Sequence, residues 1–414
     1  MQSGMTDVNQ QLLDATVVPQ KSVTGDAVSA SASTNAARRS TVLPRLEWTG
    51  DRPRIVPFQR ERFEELRALG QGGMGEVVLL KDHDIERTVA LKRLSESQDL
   101  DRVLRFVEEI RTVGQLDHPN IVPVHDVGVD ESGRYYFLMK HLQGETLESI
   151  ITRLRQGDRA AHAQYPFQAR LQLFLGVLHA LSYAHRKGFI HRDLKPSNIM
   201  VGPFGEVTVM DWGLARKYRR PGDAGSAEDK ASAPSAQGLR ESASLLTQAG
   251  AVMGTPLYMS PEQARGEHDS LDPRSDIYSL SALLYEFLFL RHYLEGRESM
   301  ADILEGVKTV TPSVETTPEH PAQTRVPAEL CWFVIRGLAK NPAERYASVD
   351  EMVEELQSIQ SGRIHVMCQR TFMKSVLHRL LRSVDQNPKV VMLGSAAVAA
   401  LILAAFAQAL LRLF

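Results

Sequence analysis

Three polar side chains have the types and the spacing that phosphoryl transfer requires. Asp193 and Asn198 belong to the string HRDLKPSN at positions 191–198, and Asp211 follows Asp193 by 18 positions. A carboxylate at Asp193 could accept the proton of an attacking hydroxyl group. An amide at Asn198 and a carboxylate at Asp211 could hold the magnesium ion that bridges nucleotide phosphates. Lys195 adds a positive charge beside the transferred group.

A glycine-rich run upstream has the spacing of a phosphate-binding loop. Gly70, Gly72 and Gly75 form the pattern GxGxxG. Glycine suits a backbone that closes over phosphates, because it has no Cβ and tolerates unusual φ/ψ values. The pattern alone could equally begin a dinucleotide-binding βαβ unit, in which a helix follows the glycines. The apolar run EVVLL after Gly75 indicates a strand instead, and so favours a loop between two antiparallel strands.

A lysine and a glutamate lie between these two groups of residues. Lys92 ends the short apolar run VALK, 17 residues after Gly75. On a strand there, its ammonium group would point at the nucleotide phosphates. A charged helix is predicted over residues 101–116, and Glu109 on it is the expected partner of Lys92. Glu108 is the one alternative, since neighbouring side chains point about 100° apart around a helix.

In this order, the motifs resemble those of the protein kinase family, most closely its eukaryotic-like bacterial serine/threonine branch. The resemblance covers about residues 63–360, and its further motifs include DWG at 211–213 and GTPLYMSPEQA at 254–264. It implies an α+β fold with two lobes: a small antiparallel-sheet lobe over 63–142 and a mainly helical lobe over 143–360. ATP and Mg²⁺, or Mn²⁺ in its place, would bind between the lobes.

The resemblance also assigns roles by position. Met139 would be the gatekeeper behind the adenine, and the backbone of Lys140 and Leu142 would hydrogen-bond the adenine edge. The catalytic positions would be Lys92, Glu109, Asp193 and Lys195, and the metal ligands Asn198 and Asp211. The nucleotide-binding positions would be Leu69, Gly70, Gly72, Gly75, Val77, Ala90, Lys92, Met139, Lys140 and Leu142.

Several further residues have structural roles in the family. Glu262 would pair with Arg345, and Asp276 would support the catalytic loop; buried ion pairs of this kind mainly fix geometry. Trp212 stands where the family usually has the Phe of the DFG motif. Both side chains are large and aromatic, so we expect the packing role to survive, although the larger ring could bias active against inactive arrangements.

The activation segment extends from residue 211 to residue 262 and is 52 residues long. Its middle, about 219–244, is rich in Ala, Gly, Ser and charged residues. This composition predicts a disordered insert rather than packed structure.

Three residues are expected to be regulatory by resemblance. Arg192 would bind a phosphate on the activation segment and order it. Thr247 would carry that phosphate after autophosphorylation in trans, with Ser242 and Ser244 as alternatives. Thr255 would hydrogen-bond the catalytic aspartate and lysine.

Composition sets further limits. The 414 residues can hold one two-lobed domain of about 300 residues with tails. The net charge of −2 argues against a nucleic-acid partner. Two cysteines cannot form a disulfide framework, and they suit a reducing compartment. Residues 1–60 are predicted to be a disordered N-terminal tail, although 45–57 read as an ordered lead-in to the first strand.

The C-terminal region predicts a membrane anchor. Residues 390–411 carry no charge, and as a helix they would be about 33 Å long, enough for a hydrocarbon core of about 30 Å. Five basic residues precede this span within about 20 positions and one follows it, which places the kinase domain in the cytoplasm of a single-pass cell-membrane protein. In the basic juxtamembrane segment, 361–389, an amphipathic run at 366–382 would either lie on anionic lipid or pack on the large lobe.

The function implied by the resemblance is ATP-dependent phosphorylation of Ser and Thr hydroxyl groups in proteins, the chain itself included. The alternative is a pseudokinase scaffold of the same fold, which binds partners without catalysis. A scaffold of that kind lacks at least one essential group, and the sequence retains all of them.

Overall fold

The structure is a computed structural model of the chain. It describes residues 40–56, 60–72, 75–95, 100–218, 255–267, 270–313, 320–363, 373–374 and 388–411. The expectations for residues 1–39, for the insert at about 219–244 and for Thr247 therefore lie outside the described residues.

A hairpin precedes the two-lobed domain. Strands β1 (Arg45–Thr49) and β2 (Arg52–Val56) pair antiparallel. Gly50 lies in the turn between them with a φ of 65°, a value that favours glycine. The segment 1–60, which composition assigned to a disordered tail, thus contains regular structure at the predicted lead-in over 45–57, where the glycine turn lets two short strands pair.

The small lobe contains an antiparallel sheet, as predicted, and the sheet has five strands. The strands follow the spatial order β3-β4-β5-β7-β6. Their bounds are β3 (Phe63–Gly72), β4 (Gly75–Asp82), β5 (Arg87–Leu94), β6 (Val124–Val129) and β7 (Tyr135–Lys140). Helix α1 (Leu100–Val113) lies against this sheet, where Phe106 is fully buried with Leu94 and Phe137. This helix carries the predicted partner of Lys92.

The large lobe is mainly helical, which confirms the two-lobed α+β prediction. Its helices are α2 (Leu147–Arg155), α3 (Arg159–Gln164), α4 (Phe167–Arg186), α5 (Pro261–Ala264), α6 (Pro273–Phe289), α7 (Met300–Thr309), α8 (Ala328–Gly337) and α9 (Val349–Gln360). Its short strands are β8 (Glu145–Thr146), β9 (Phe189–Ile190), β10 (Ile199–Val201), β11 (Val207–Val209) and β12 (Arg216–Lys217). Helix α6 is buried from Ser275 to Phe289 and forms the centre of this lobe.

Within the amphipathic run at 366–382, the structure describes a contact between Lys374 and the large lobe. Lys374 Nζ lies 2.9 Å from both carboxylate oxygens of Glu329 on α8. At this position the segment contacts the large lobe, which was one of the two arrangements expected for it. The last helix, α10, covers Pro388–Leu411.

A membrane span is not confirmed. Taken over the residues that the structure describes, no helix meets the length and hydropathy needed to cross a membrane. The predicted span over 390–411 therefore stays a prediction.

Candidate active site

The predicted lysine and glutamate meet in the cleft between the lobes. Lys92 Nζ lies 2.5 Å from Glu109 Oε1 and 3.7 Å from Asp211 Oδ1. Strand β5 holds the lysine and helix α1 holds the glutamate, so this contact joins the sheet to the helix. The partner of Lys92 is Glu109 and not Glu108, whose side chain lies near Arg105 and Arg111.

Desolvation opposes charge on all three groups, and the attraction between the lysine and the two carboxylates acts against it. Desolvation lowers the pKa of Lys92, but Glu109 and Asp211 outweigh it, so that this pKa is raised. Desolvation raises the pKa of Asp211, but Lys92 and Lys195 outweigh it, so that this pKa is lowered. Burial raises the pKa of Glu109. Lys92 and Asp211 are therefore both charged at neutral pH.

The catalytic loop brings the side chains of Asp193, Lys195 and Asn198 together. Lys195 Nζ lies 2.7 Å from Asp193 Oδ2. The side-chain amide of Asn198 donates to the backbone oxygen of Asp193 at 2.9 Å and to its Oδ2 at 3.3 Å. These bonds hold the Asp193 carboxylate in one orientation, as a base that acts on a bound hydroxyl group requires.

Asp276 on α6 holds the catalytic loop through hydrogen bonds to its backbone. Its carboxylate accepts the backbone N–H of His191 at 2.8 Å and that of Arg192 at 2.9 Å. It also contacts His185 Nε2 at 2.7 Å. Burial raises the pKa of Asp276, but the bond from His185 and the nearby charges outweigh it and lower that pKa. The charged carboxylate stabilises a loop in which Arg192 has a φ of 71°, a value that costs a non-glycine residue free energy.

Strand β11 positions Asp211. The backbone N–H of Val209 donates to the oxygen of Asn120 at 2.8 Å, and that of Met210 donates to the oxygen of Asn198 at 2.8 Å. Asn120 also donates its side-chain amide to the oxygen of Val207 at 2.7 Å. The segment that leaves α1 is therefore tied to the strand before Asp211, and that strand is tied to the catalytic loop.

Trp212 fills the position of the usual Phe. Its side chain is 1% exposed, and its ring centroid lies 4.6 Å from that of His191. The indole Nε1 is buried and has no hydrogen-bond partner in the described part of the chain. An unsatisfied N–H of this kind costs about 1–3 kcal/mol, so the packing role is retained with a penalty.

The three loop glycines differ in what their surroundings demand. A Cβ at Gly75 would lie 2.0 Å from the backbone oxygen of Arg93 on β5. A Cβ at Gly70 or Gly72 would meet no atom of the described residues within 4 Å. The glycine pattern predicts that bound phosphates exclude side chains at all three positions. At Gly75 the neighbouring strand already does so.

The other nucleotide-binding positions lie on the strands around this loop. Leu69 precedes Gly70 on β3. In the sheet register Val77 lies opposite Lys92, and Ala90 lies opposite Met139. The structure thus places the predicted gatekeeper one strand away from the small alanine on β5.

The hinge follows β7. The backbone N–H of Lys140 donates to the oxygen of Pro123 at 3.1 Å, so this donor is already used. Leu142 is half-buried against the large-lobe core. The predicted adenine contact of Lys140 is therefore narrowed to its carbonyl oxygen.

Two contacts anchor the end of the activation segment. Arg345 donates to both oxygens of Glu262, at 2.8 and 2.9 Å, and the pair is buried as expected. Gln263 Nε2 donates to the backbone oxygen of Arg192 at 2.9 Å. The role of Gln263 was not predicted from the sequence, because a glutamine on a short helix has no pattern of its own. The spacing of Ser260 and Gln263 could have indicated it, since the two form a capping box at the start of the helix.

The regulatory positions are described only in part. The Arg192 side chain is buried, and burial together with the nearby charge of Arg216 lowers its pKa. Thr255 begins a short 3₁₀ helix, Thr255–Tyr258, and its side chain lies outside the described part.

Comparison with known proteins agrees with this geometry. The protein kinase domain family matches residues 63–356. The serine/threonine-protein kinase PknD of Protochlamydia amoebophila is 33% identical over 322 residues, which are 76% of this chain and 31% of that protein. A probable serine/threonine-protein kinase of Streptomyces coelicolor, SCO3848, is 35% identical over 312 residues, 73% of this chain and 40% of that protein.

A third relative, the serine/threonine-protein kinase PknB of Mycobacterium leprae, is 34% identical over 312 residues, 74% of this chain and 44% of that protein. The chain therefore spans less than half the length of these relatives. Because the family match covers most of the chain and contains the whole series of motifs, the chain belongs to the protein kinase family, in its eukaryotic-like bacterial serine/threonine branch.

Proposed function

We propose that this chain is an ATP-dependent serine/threonine protein kinase that is attached to the cell membrane and phosphorylates itself as well as other proteins. One observation carries the catalytic part: Lys92 contacts Glu109 while Asp211 lies beside the same ammonium group. Protein kinases need both the lysine–glutamate pair and the metal-binding aspartate in place for transfer.

The residues divide their roles between nucleotide and acceptor. Lys92, held by Glu109, presents its charge to the α- and β-phosphates. Asp193 accepts the proton of a Ser or Thr hydroxyl group as that oxygen bonds to the γ-phosphorus and the bond to the β-phosphate breaks. Lys195, 2.7 Å from the Asp193 carboxylate, offsets negative charge on the transferred group.

Asn198 and Asp211 fit a divalent ion that takes few protein ligands. The amide nitrogen of Asn198 is bonded to Asp193, which leaves the side-chain oxygen as its metal donor. The lowered pKa of Asp211 keeps its carboxylate ionised. Mg²⁺ typically takes one or two carboxylates together with phosphate oxygens, and Mn²⁺ accepts similar oxygen ligands. When bound, the ion would neutralise charge on the phosphates.

Two variants separate catalysis from nucleotide binding. Asp193→Asn should abolish phosphate transfer and leave ATP affinity within about twofold of wild type, because the residue acts on the acceptor. Lys92→Met should reduce both. Transfer is measured with γ-labelled ATP and a generic Ser/Thr substrate, and affinity by calorimetry. Wild-type turnover in Asp193→Asn would refute the assignment. A wild-type chain that binds ATP without any transfer would be a pseudokinase scaffold.

We also propose activation by phosphorylation within residues 242–247. Burial, and next the positive charge of the neighbouring Arg216, lower the pKa of Arg192. Such a site favours a phosphate group between the cations. Thr247 is the proposed acceptor, with Ser242 and Ser244 as alternatives. Mass spectrometry of active protein should find phosphate there, and an unmodified segment in fully active protein would contradict the proposal.

Membrane attachment is proposed from the charge pattern of the sequence. Residues 390–411 are uncharged, and the basic residues lie mainly on the N-terminal side, which puts the kinase domain in the cytoplasm. Confinement in the bilayer plane would raise the effective concentration for phosphorylation in trans.

Charged substitutions within the span test this attachment. Leu401→Arg combined with Ile402→Arg should release the full chain from membranes washed at alkaline pH, since each Arg near a helix centre costs about 2.5–3.5 kcal/mol. Phe204→Arg is the control, because that side chain is 95% exposed on the large lobe. A wild-type chain that the wash releases would refute the anchor.

A further inference from the structure

The β1–β2 hairpin has one face that consists only of apolar side chains. Leu46 lies opposite Ile55, and Trp48 lies opposite Pro53. Directly opposed residues on paired strands point to the same face, so these four side chains lie together. The alternate positions, which point to the other face, are Arg45, Glu47, Thr49, Arg52, Arg54 and Val56.

This apolar face is exposed. Nine of the ten hairpin residues are exposed, including Leu46 at 64%, Trp48 at 71% and Ile55 at 66%. Val42 and Leu43 just before the hairpin are exposed by 82% and 51%. Of 13 exposed large hydrophobic side chains described up to residue 363, five lie in this stretch of 14 residues. Such a concentration marks an interaction surface, and an isolated hairpin is marginally stable without one.

The opposite face indicates the chemistry of the partner. Arg45, Arg52 and Arg54 give it three guanidinium groups against the single carboxylate of Glu47. In segments that lie in a membrane interface, apolar side chains reach the acyl chains while basic side chains meet the headgroup phosphates. Tryptophan is enriched at the same depth. A protein groove would use the apolar face alone, whereas an anionic leaflet uses both faces at once.

We propose that the β1–β2 hairpin is a second membrane contact, which lies flat in an anionic leaflet. Leu46, Trp48 and Ile55 face the acyl chains, and the three arginines lie among the phosphates. The inference builds on the membrane attachment proposed above, which brings a leaflet to the same molecule. Because the hairpin ends seven residues before β3 begins, the contact holds the small lobe at the membrane surface.

Trp48 can report on this contact directly. The chain has three tryptophans, and Trp212 is 1% exposed, so the difference between wild type and Trp48→Phe isolates the emission of Trp48. The full chain is reconstituted in nanodiscs of phosphatidylglycerol with brominated acyl chains. We expect Trp48 emission to lie further to the blue than in the protein without lipid. Its intensity should be lower by about twofold or more than in discs of the same lipid without bromine, as for an indole at the interface. In zwitterionic discs the quenching should be weaker.

A triple variant tests the arginine face. Arg45→Gln, Arg52→Gln and Arg54→Gln together should reduce quenching in anionic discs to the level of zwitterionic discs. Trp48 that stays accessible to acrylamide in anionic discs would overturn the proposal. Protection of Trp48 that rises with protein concentration in the absence of lipid would also overturn it and would identify a second copy of the chain as the partner.

The anchor and the hairpin contact can fail separately. A chain that resists the alkaline wash while Trp48 stays unquenched would refute the hairpin contact alone. A chain that the wash releases, but whose Trp48 is quenched by added vesicles of the brominated phosphatidylglycerol, would refute the anchor and support the hairpin contact.

Discussion

Lys92 Nζ and Glu109 Oε1 lie 2.5 Å apart, and this contact joins strand β5 to helix α1. Glu109 is 3% exposed, whereas the adjacent Glu108 is half-buried on another side of the helix. The rotation of α1 about its axis therefore decides which carboxylate reaches the cleft. The same ammonium group faces Asp211, so the helix, the strand and the metal-binding position form one electrostatic unit.

The two glutamates give a matched pair of variants. Glu109→Gln should lower kcat/KM by about 10- to 100-fold, because a hydrogen bond between charged groups contributes about 1.5–3 kcal/mol. Glu108→Gln should stay within about twofold, since that residue does not contact Lys92. Steady-state phosphorylation assays at several ATP concentrations provide the comparison. Equal losses in the two variants would show that α1 is oriented differently during turnover.

The buried ion pair of the activation segment should matter for stability. Arg345→Ala leaves the Glu262 carboxylate buried without its cation and should lower the free energy of unfolding by about 3–5 kcal/mol. Arg186→Ala is the control, because Arg186 pairs with Asp350 at 3.0 Å on the surface and such pairs contribute less than about 1 kcal/mol. Urea unfolding midpoints of the two variants measure these losses. Similar midpoints would show that the buried pair contributes no more to stability than the surface pair.

Trp212 should tolerate the family residue. Trp212→Phe should change the free energy of unfolding by less than about 1.5 kcal/mol, because loss of the unsatisfied N–H offsets part of the lost packing. Trp212→Ala should cost about 3–5 kcal/mol through the cavity it leaves. Thermal unfolding of the three proteins is the measurement. A Phe variant as unstable as the Ala variant would mean that the indole N–H has a partner.

His292 should make stability depend on pH. Burial, and next the charge of Arg155, lower its pKa to about 3. The unfolded chain, with a histidine pKa of about 6.5, then takes up the proton first as the pH falls. The contribution of His292 is complete above about pH 6.5 and is lost by about 1.4 kcal/mol per pH unit below it.

Replacement of this histidine should flatten that slope. His292→Asn keeps an acceptor for the backbone N–H of Leu294, which donates to Nδ1 at 3.1 Å. Phe204→Asn, at a position 95% exposed, should leave the slope as in wild type, because it removes no titratable group. Urea midpoints between pH 7 and about 4 are compared. A His292→Asn slope equal to that of wild type would contradict the prediction.

Variants at two glycines of the loop should affect different properties, one the stability of the fold and the other the binding of nucleotide. Gly75→Ala should lower the free energy of unfolding by about 1–3 kcal/mol, because the new Cβ collides with the Arg93 carbonyl oxygen. At Gly72 a Cβ meets no atom in the part of the chain that the structure describes, so Gly72→Ala should change stability by less than about 0.5 kcal/mol, while it weakens ATP binding. Unfolding and calorimetric titration measure the two effects. A loss of stability in Gly72→Ala would reverse this assignment.

Much of the fold followed from local pattern. The strand after Gly75 and the strand that contains Lys92 are short apolar runs, and the helix with Glu109 was predicted from its charged sequence. Each of these signals is contained in a few consecutive residues, so it can be recognised without knowledge of the rest of the chain. The sequence signal for the hairpin at Arg45–Val56 was weaker. Its side chains are exposed, so no buried face of the domain imposes a pattern on them.

The sequence by itself determined which groups are available for chemistry and in what order, because side-chain type and spacing belong to the chain alone. Tertiary structure decided that Glu109 rather than Glu108 meets Lys92, that Gln263 holds the Arg192 backbone, and that β5 excludes a side chain at Gly75. Each of these outcomes joins residues that are distant in the chain. Their free energies depend on the distance between the two partners and on how far both are buried, and no single stretch of sequence contains that information.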